Sequence, residues 1–410
     1  MPYIASKAIG KSMKQTFLQR NINIAVRLFL LALAALFVFG GPLPLILARL
    51  FPSLSPLTLL SGWIAQRQPA VVVFWAVPPL TFLMLACTRG RFFCRWICPA
   101  GTVFYLTSPR RLNTRLLRHR VNGILFWAIL ASSALGLPVL LFLDPLPMIH
   151  RNLVWLHGPL PLYALVPGIL FPLFILLGLF QPMIWCSHGC PTGYLFDLCR
   201  SLSRDIPRTV NQERRSFLTG VFLGMPLAAL AAHWPKKPDA LHIPLLPPGA
   251  RPSPEFGAAC HRCYACVSAC PTGILRVDLH ANQPLIEWFQ PQMDPAYGRC
   301  EVDCNACSQI CPSGAIQSIS LHLKQHCRIG LAEVRKDVCL AWAGHEECLL
   351  CMKACPYSAI TTARLPDGTP CPVVNEFLCR GCGYCQNVCP VDQHGPAIHI
   401  LALPVQEYMS

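Results

Sequence analysis

The cysteines near the C-terminal end restrict this chain more than any other residues, because they recur on a fixed beat. Cys260, Cys263, Cys266 and Cys270 read C-x2-C-x2-C-x3-C and are followed by Pro271. Cys300, Cys304, Cys307 and Cys311 read C-x3-C-x2-C-x3-C, followed by Pro312. Cys339, Cys348, Cys351 and Cys355 open with a longer gap, C-x8-C-x2-C-x3-C, and precede Pro356. Cys379, Cys382, Cys385 and Cys389 repeat the first spacing and precede Pro390.

A tight loop of this spacing delivers three thiolates to one [4Fe–4S] cubane, and the fourth cysteine, turned away before proline, ligates a neighbouring cluster. Four motifs therefore predict four [4Fe–4S] clusters in two exchanging pairs, and spacing leaves open which motif exchanges with which. The rival chemistries fit poorly. A disulfide framework does not repeat C-x3-C-P four times. Zinc favours two separated C-x2-C pairs, and the C-x2-C-H of a c-type haem is absent. Each Cys-Pro leads into a short β-prone stretch at Ile274–Val277, Ala315–Ile319, Ala359–Ala363 or Ala397–Leu401. That pattern predicts the small α+β halves of a bacterial-ferredoxin-like domain over 260–410, with duplicated cluster-binding units. Cys327 and Cys371 fall outside the motifs and are candidates to pair with one another, while Cys87 and Cys199 read as plain thiols.

The proximal half reads differently. The chain is 53% hydrophobic and only 13% charged, and its net charge of +15 is unevenly spread. Residues 1–259 hold 24 Lys/Arg against 6 Asp/Glu, whereas 260–410 hold 10 against 13. The base thus accompanies the apolar runs, which favours a membrane partner over nucleic acid. Ile22–Gly40, Ala70–Cys87, Val121–Leu143 and Leu162–Trp185 are each near the length needed to cross a bilayer, and Phe217–Trp234 is a shorter fifth. The expectation is a membrane α-helical bundle of four to five transmembrane helices over 21–199 and 200–234, after a basic leader at 1–20. Flanking Lys and Arg number seventeen on one side and three on the other, which places the N-terminus in the cytoplasm. Arg214-Arg215 ahead of a modest apolar run resembles a twin-arginine export signal. A proline-rich linker over 235–259 then leads to the cysteines. The localisation expected is a bacterial inner membrane, with the ferredoxin domain periplasmic.

The apolar half also contains a repeat. Cys94-x3-Cys98-Pro99 follows one run and Cys186-x3-Cys190-Pro191 another, with Gly101/Gly193 and Phe104/Phe196 in register. These four thiols are candidates for a further cluster site, for redox-active disulfides, or for ordinary free thiols. His188 reads as a solvated polar residue. His150, Arg151 and His157 read as outer-loop residues, with contact to a quinone as the alternative.

With these motifs in hand, the proximal 200 residues resemble the NapH-type membrane ferredoxins, through Cys94/Cys98 and Cys186/Cys190. From Arg214 onward the chain resembles the MauM/NapG-type exported ferredoxins, through Arg214-Arg215, Leu246-Pro247-Pro248-Gly249-Ala250, Cys260-His-Arg-Cys263 and the long-gapped motif at Cys339. The two resemblances together imply a fusion. NapH-type proteins usually continue into two cytoplasmic cluster motifs, and here the exported-type segment follows instead. The role implied is quinol-linked electron delivery to a periplasmic oxidoreductase or cytochrome. No P-loop, G-x-G-x-x-G or nucleophile–base constellation suggests turnover by the chain itself, and no catalytic residue is assigned. A maturation or redox-sensing protein is the alternative.

Overall fold

The computed structural model describes residues 22–33, 36, 54–66, 73–108, 121–135, 139–157, 162–204, 210–232, 243–277, 287–344, 347–391 and 395–409. Its first part is helical. After a helix over 22–33 come α1 (Pro56–Gln66), α2 (Val73–Arg89), α3 (Pro99–Thr107), α4 (Asn122–Ala134), α5 (Pro145–His157), α6 (Leu170–Phe180), α7 (Pro191–Arg204) and α8 (Val210–Ala232).

These helices correct the expected membrane bundle: among the described residues, no helix is long and apolar enough to cross a membrane. Two of the apolar runs divide instead of continuing. Run 121–143 becomes the 13 residues of α4 plus a separate 3-10 turn at Val139–Leu143. Run 162–185 splits into a 3-10 segment with Pro167 inside it and the 11 residues of α6. At 1.5 Å per residue α4 is about 20 Å long, short of the roughly 30 Å hydrocarbon layer. α2 carries Pro78 and Pro79 within its 17 residues. Among the described helices only α8 is long, with 23 residues, and Asn211, Gln212, Glu213, Arg214 and Arg215 occupy its first turns. Arg214 and Arg215 thus lie inside a helix continuous with the apolar residues that follow.

α8 lies along α4, where Gly220 and Gly224 allow close approach. A Cβ on Gly224 would fall 2.4 Å from the Ala128 carbonyl oxygen. Core residues Phe93, Phe104, Leu146, Met148, Trp185 and Phe196 pack around the two Cys-Pro turns.

The second part is a chain of small α+β units, as the cysteine spacing predicts. Three two-stranded antiparallel sheets are formed by β1 (Leu275–Val277) with β2 (Pro291–Met293), β3 (Cys327–Val334) with β6 (Ile398–Tyr408), and β4 (Ile360–Arg364) with β5 (Pro370–Val374). The β3–β6 pairing joins the middle of this part to its end, with Leu331 opposite Leu401. Three of the four β-prone stretches overlap strands. Ala315–Ile319 forms only an isolated bridge from Ile316 to Ala250. Its partner segment contains Pro247, Pro248 and Pro252, which lack N–H donors. The pairing therefore stops at Gln317 N–H to Gly249 O (2.8 Å) and Arg251 N–H to Ala315 O (3.0 Å). Short helices α9 (Ala265–Ser268), α10 (Ala306–Ile310), α11 (Leu350–Ala354) and α12 (Tyr384–Asn387) each carry the third cysteine of a motif and end just before the fourth.

Candidate metal centres

The first and fourth motifs close their loops with backbone conformations that few residues adopt. Between Cys379 and Cys385, Gly381 (φ 74°) and Gly383 (φ 84°) turn the chain. The equivalent positions in the first motif are Arg262 (φ 51°) and Tyr264 (φ 62°), at a steric cost of about 1–2 kcal/mol each. The helix that follows returns the fourth cysteine away from its own triplet.

The destination of that fourth cysteine is what spacing left open. One apolar cavity is lined by Cys300, Cys304 and Cys307 of the second motif and by Cys270 of the first. Another is lined by Cys339, Cys348 and Cys351 of the third and by Cys389 of the fourth. In the reverse direction, Cys311 lies in electrostatic reach of Cys260, Cys263 and Cys266. Cys355 stands in the same relation to Cys382 and Cys385, on which Cys379 also acts. The fourth cysteines thus group across motifs, first with second and third with fourth. This gives quartet A (Cys260, Cys263, Cys266, Cys311), quartet B (Cys270, Cys300, Cys304, Cys307), quartet C (Cys339, Cys348, Cys351, Cys389) and quartet D (Cys355, Cys379, Cys382, Cys385).

These surroundings fit a [4Fe–4S] group. Burial pushes the Cys260 thiol up to about 11 and the Cys382 thiol up to about 12. On their own such thiols stay neutral at pH 7, and an iron group bound there would deprotonate them on coordination. Backbone amides already aim at the sulfurs: Ile316 N–H to Cys311 Sγ (3.4 Å), Ala359 N–H to Cys355 Sγ (3.3 Å) and Ala397 N–H to Cys389 Sγ (3.3 Å). N–H···S bonds of this kind stabilise thiolate charge and tune the potential of a bound cluster. Among the described residues no three Cys, His, Asp or Glu side chains converge as a single-ion site would require. Quartets B and C are instead spread around cavities, as a larger group needs.

The four thiols of the proximal repeat also come together. Cys94, Cys98, Cys186 and Cys190 act electrostatically on one another, Cys98 and Cys190 being buried and the other two half-buried. Each second cysteine caps the helix after it: Gly101 N–H reaches Cys98 Sγ (3.4 Å) at α3, and Gly193 N–H reaches Cys190 Sγ (3.3 Å) at α7. The two helix N-termini thus face one cluster of sulfurs and favour negative charge there. Arg91 locks the halves together. It donates to both carboxylate oxygens of Asp197 (2.9 and 2.6 Å) and to the Cys186 carbonyl (2.5 Å). His188 is half-buried beside Ser187 Oγ (2.6 Å), not a solvated side chain.

Two further sequence readings need correction. None of the twenty-four cysteines forms a disulfide. Cys327 lies in the core on β3 and Cys371 in a different core cluster on β5, so they do not pair. His150 and Arg151 are not loop residues. They sit on α5, 3% and 1% exposed, with His150 Nδ1 2.8 Å from the Cys263 carbonyl oxygen. Burial pulls His150 down to about 4 and Arg151 to about 10, so at neutral pH the first is uncharged and the second a cation. The His157 side chain lies outside the described residues. In a helix-length window His150 and Arg151 look like polar residues at an apolar edge, and no local signal marks what they touch.

Comparison with known proteins agrees with this geometry. Residues 248–316 and 346–393 match two family models, each described as a 4Fe-4S dicluster domain. Residues 68–116, 163–209 and 307–329 match a 4Fe-4S binding domain, which includes both C-x3-C-P turns. No solved structure matches. Fold and site together define an iron–sulfur electron-transfer protein with several ferredoxin-type 4Fe-4S domains. It is 30% identical over 194 residues to the methylamine utilization ferredoxin-type protein MauM of Methylophilus methylotrophus, covering 44% of this chain and 84% of that protein. It is 34% identical over 175 residues to the ferredoxin-type protein NapG of Escherichia coli (strain K12), covering 39% and 71%. The chain belongs to this MauM/NapG family of ferredoxin-type proteins. The ferredoxin-type protein NapH of Escherichia coli (strain K12) is 24% identical over 236 residues, 55% of this chain and 75% of that protein.

Proposed function

We propose that the chain relays electrons between the quinone pool and an oxidoreductase or cytochrome outside the cytoplasm, through four [4Fe–4S] clusters held by quartets A to D. A cluster bound at each quartet would supply one-electron redox chemistry. The observation that carries the reading is the exchange of fourth cysteines, which ties A to B and C to D. The pairs are joined where Cys300 N–H donates to the Cys382 carbonyl (2.9 Å), so the four sites run in the order A, B, D, C. Half-buried Tyr357 lies at the same junction, in electrostatic reach of both Cys382 and Cys300.

The proximal quartet is assigned to a fifth cluster, because four thiols from two repeat units meet at paired helix N-termini. The likeness to NapH on one side and to MauM and NapG on the other favours a joined NapH-type and MauM/NapG-type architecture. The basic excess over residues 1–259 suits attachment to the anionic surface of a bacterial inner membrane, with the ferredoxin part on the outer side.

The experiment is anaerobic purification of the full chain, iron and sulfide analysis, and spectroscopy during addition of a water-soluble quinol. The relay predicts cluster signals that the quinol reduces. Clusters that no quinol reduces would remove the quinone pool from the proposal. A deletion strain lacking only assembly of a partner metalloenzyme, with electron flow intact, would replace the relay with maturation.

A further inference from the structure

A buried cation normally requires a counter-charge, because an unpaired ion in a low-dielectric interior is costly. Arg151 on α5 is 1% exposed, and only its Nη2 has a hydrogen-bond partner, the Phe142 carbonyl oxygen at 2.9 Å. Among the described residues its Nε and Nη1 have none. The groups acting most strongly on it are Tyr264, Cys263, Arg262 and Cys260, none of them a carboxylate. All four belong to the first cysteine loop, and one of them, Arg262, is itself a cation. The missing counter-charge is thus sought on the side of quartet A.

The contact is built into the fold. Val154 of α5 packs with Tyr264 and Val277 in one buried cluster, joined by Leu153, Val267 and Phe289. His150, one residue before Arg151, meets the Cys263 carbonyl. α5 therefore presents a fixed guanidinium to a loop that supplies three of the four thiolates of quartet A. A [4Fe–4S] group bound by four thiolates is anionic and becomes more so on reduction. A nearby positive charge favours the reduced form and raises the potential.

We propose that Arg151 is the counter-ion of the cluster in quartet A and holds its reduction potential above the value its cysteine loop alone would give. The helical part of the chain thereby sets the potential of one terminal site in the row of four. This rests on the cluster reading of quartet A made above.

The test is a redox titration of the full, cluster-loaded chain followed by electron paramagnetic resonance, comparing wild type with Arg151→Gln and Arg151→Lys. Cys260→Ala identifies which signal belongs to quartet A. The expected result is a shift of that signal to lower potential in Arg151→Gln, with the other signals unmoved and most of the shift restored in Arg151→Lys. If Arg151→Gln loses the signal altogether, retention in Arg151→Lys at the wild-type potential equally supports a charge role. Unchanged potentials in Arg151→Gln, equal shifts in both variants, or loss of the signal in both would overturn it. Wild-type protein without cluster signals would instead sink the cluster assignment itself, so the two failures are distinguishable.

Discussion

The backbone N–H of Cys300 donates to the carbonyl oxygen of Cys382 at 2.9 Å, linking a residue of the second cysteine motif to one of the fourth. The two motifs lie far apart in sequence. Their contact converts two separate two-site modules into one row, and several consequences can be measured.

The exchange of fourth cysteines predicts non-additive losses. Cys270 and Cys304 belong to different motifs but to one quartet. Cys270→Ala and Cys304→Ala should each remove one cluster's worth of iron, and the double variant should remove no more. Cys270→Ala with Cys260→Ala should remove two. Iron analysis of anaerobically prepared protein decides it, and additive loss for Cys270 with Cys304 would contradict the pairing.

Gly381 is needed for two independent reasons. Its φ of 74° is unfavourable for any side chain, and a Cβ there would stand 2.6–2.7 Å from backbone atoms of Gly330 on β3. Gly381→Ala should lower stability by about 1–3 kcal/mol from backbone strain, and further from the clash. Denaturant midpoints give the first number, and weakening of the quartet D signal would show that the damage is local.

Arg91 and Asp197 bind the two repeat units through a two-pronged ion pair, each about a third exposed or less. Asp197→Asn should cost about 1.5–3 kcal/mol, since it weakens two charge-assisted bonds and leaves the guanidinium without its counter-charge. Arg91→Lys should cost a comparable amount, because an ammonium cannot reproduce the fork. Thermal unfolding of both variants tests this, and wild-type stability in Arg91→Lys would refute the geometric argument.

Asp144 gives a pH dependence whose sign follows from burial. Desolvation raises its carboxyl to about 6, against the opposing effect of the Thr192 hydroxyl that donates to it at 2.7 Å. Between the unfolded value near 3.8 and the folded value near 6, the folded chain binds more protons than the unfolded one. This group's contribution to stability therefore falls as pH rises through that window and is constant above it. Asp144→Asn removes the slope. Its stability relative to wild type should rise by up to about 3 kcal/mol between pH 4 and pH 7. Equal slopes in the two proteins would show that the carboxyl titrates normally.

The 4Fe-4S ferredoxin-type character was legible in the sequence by itself. The beat of the sixteen distal cysteines announces cluster ligation because three thiolates in a tight loop suit one cubane and proline redirects the fourth. The duplicated Cys-Pro turns were legible for the same reason, and three of the four β-prone stretches overlap strands, whereas β2, β3 and β5 were not foreseen. Local spacing is sufficient where a motif closes on itself within a few residues. Tertiary structure decided which loop receives each fourth cysteine, whether the apolar runs continue as single helices, and what His150 and Arg151 touch. Hydropathy counts residues over a window, so it does not register that a run is divided, as run 162–185 is at Pro167 and Gly168. The contact between α5 and the first cysteine loop joins residues more than a hundred positions apart. It depends on how two folded parts pack, and no short-range pattern in the chain encodes it.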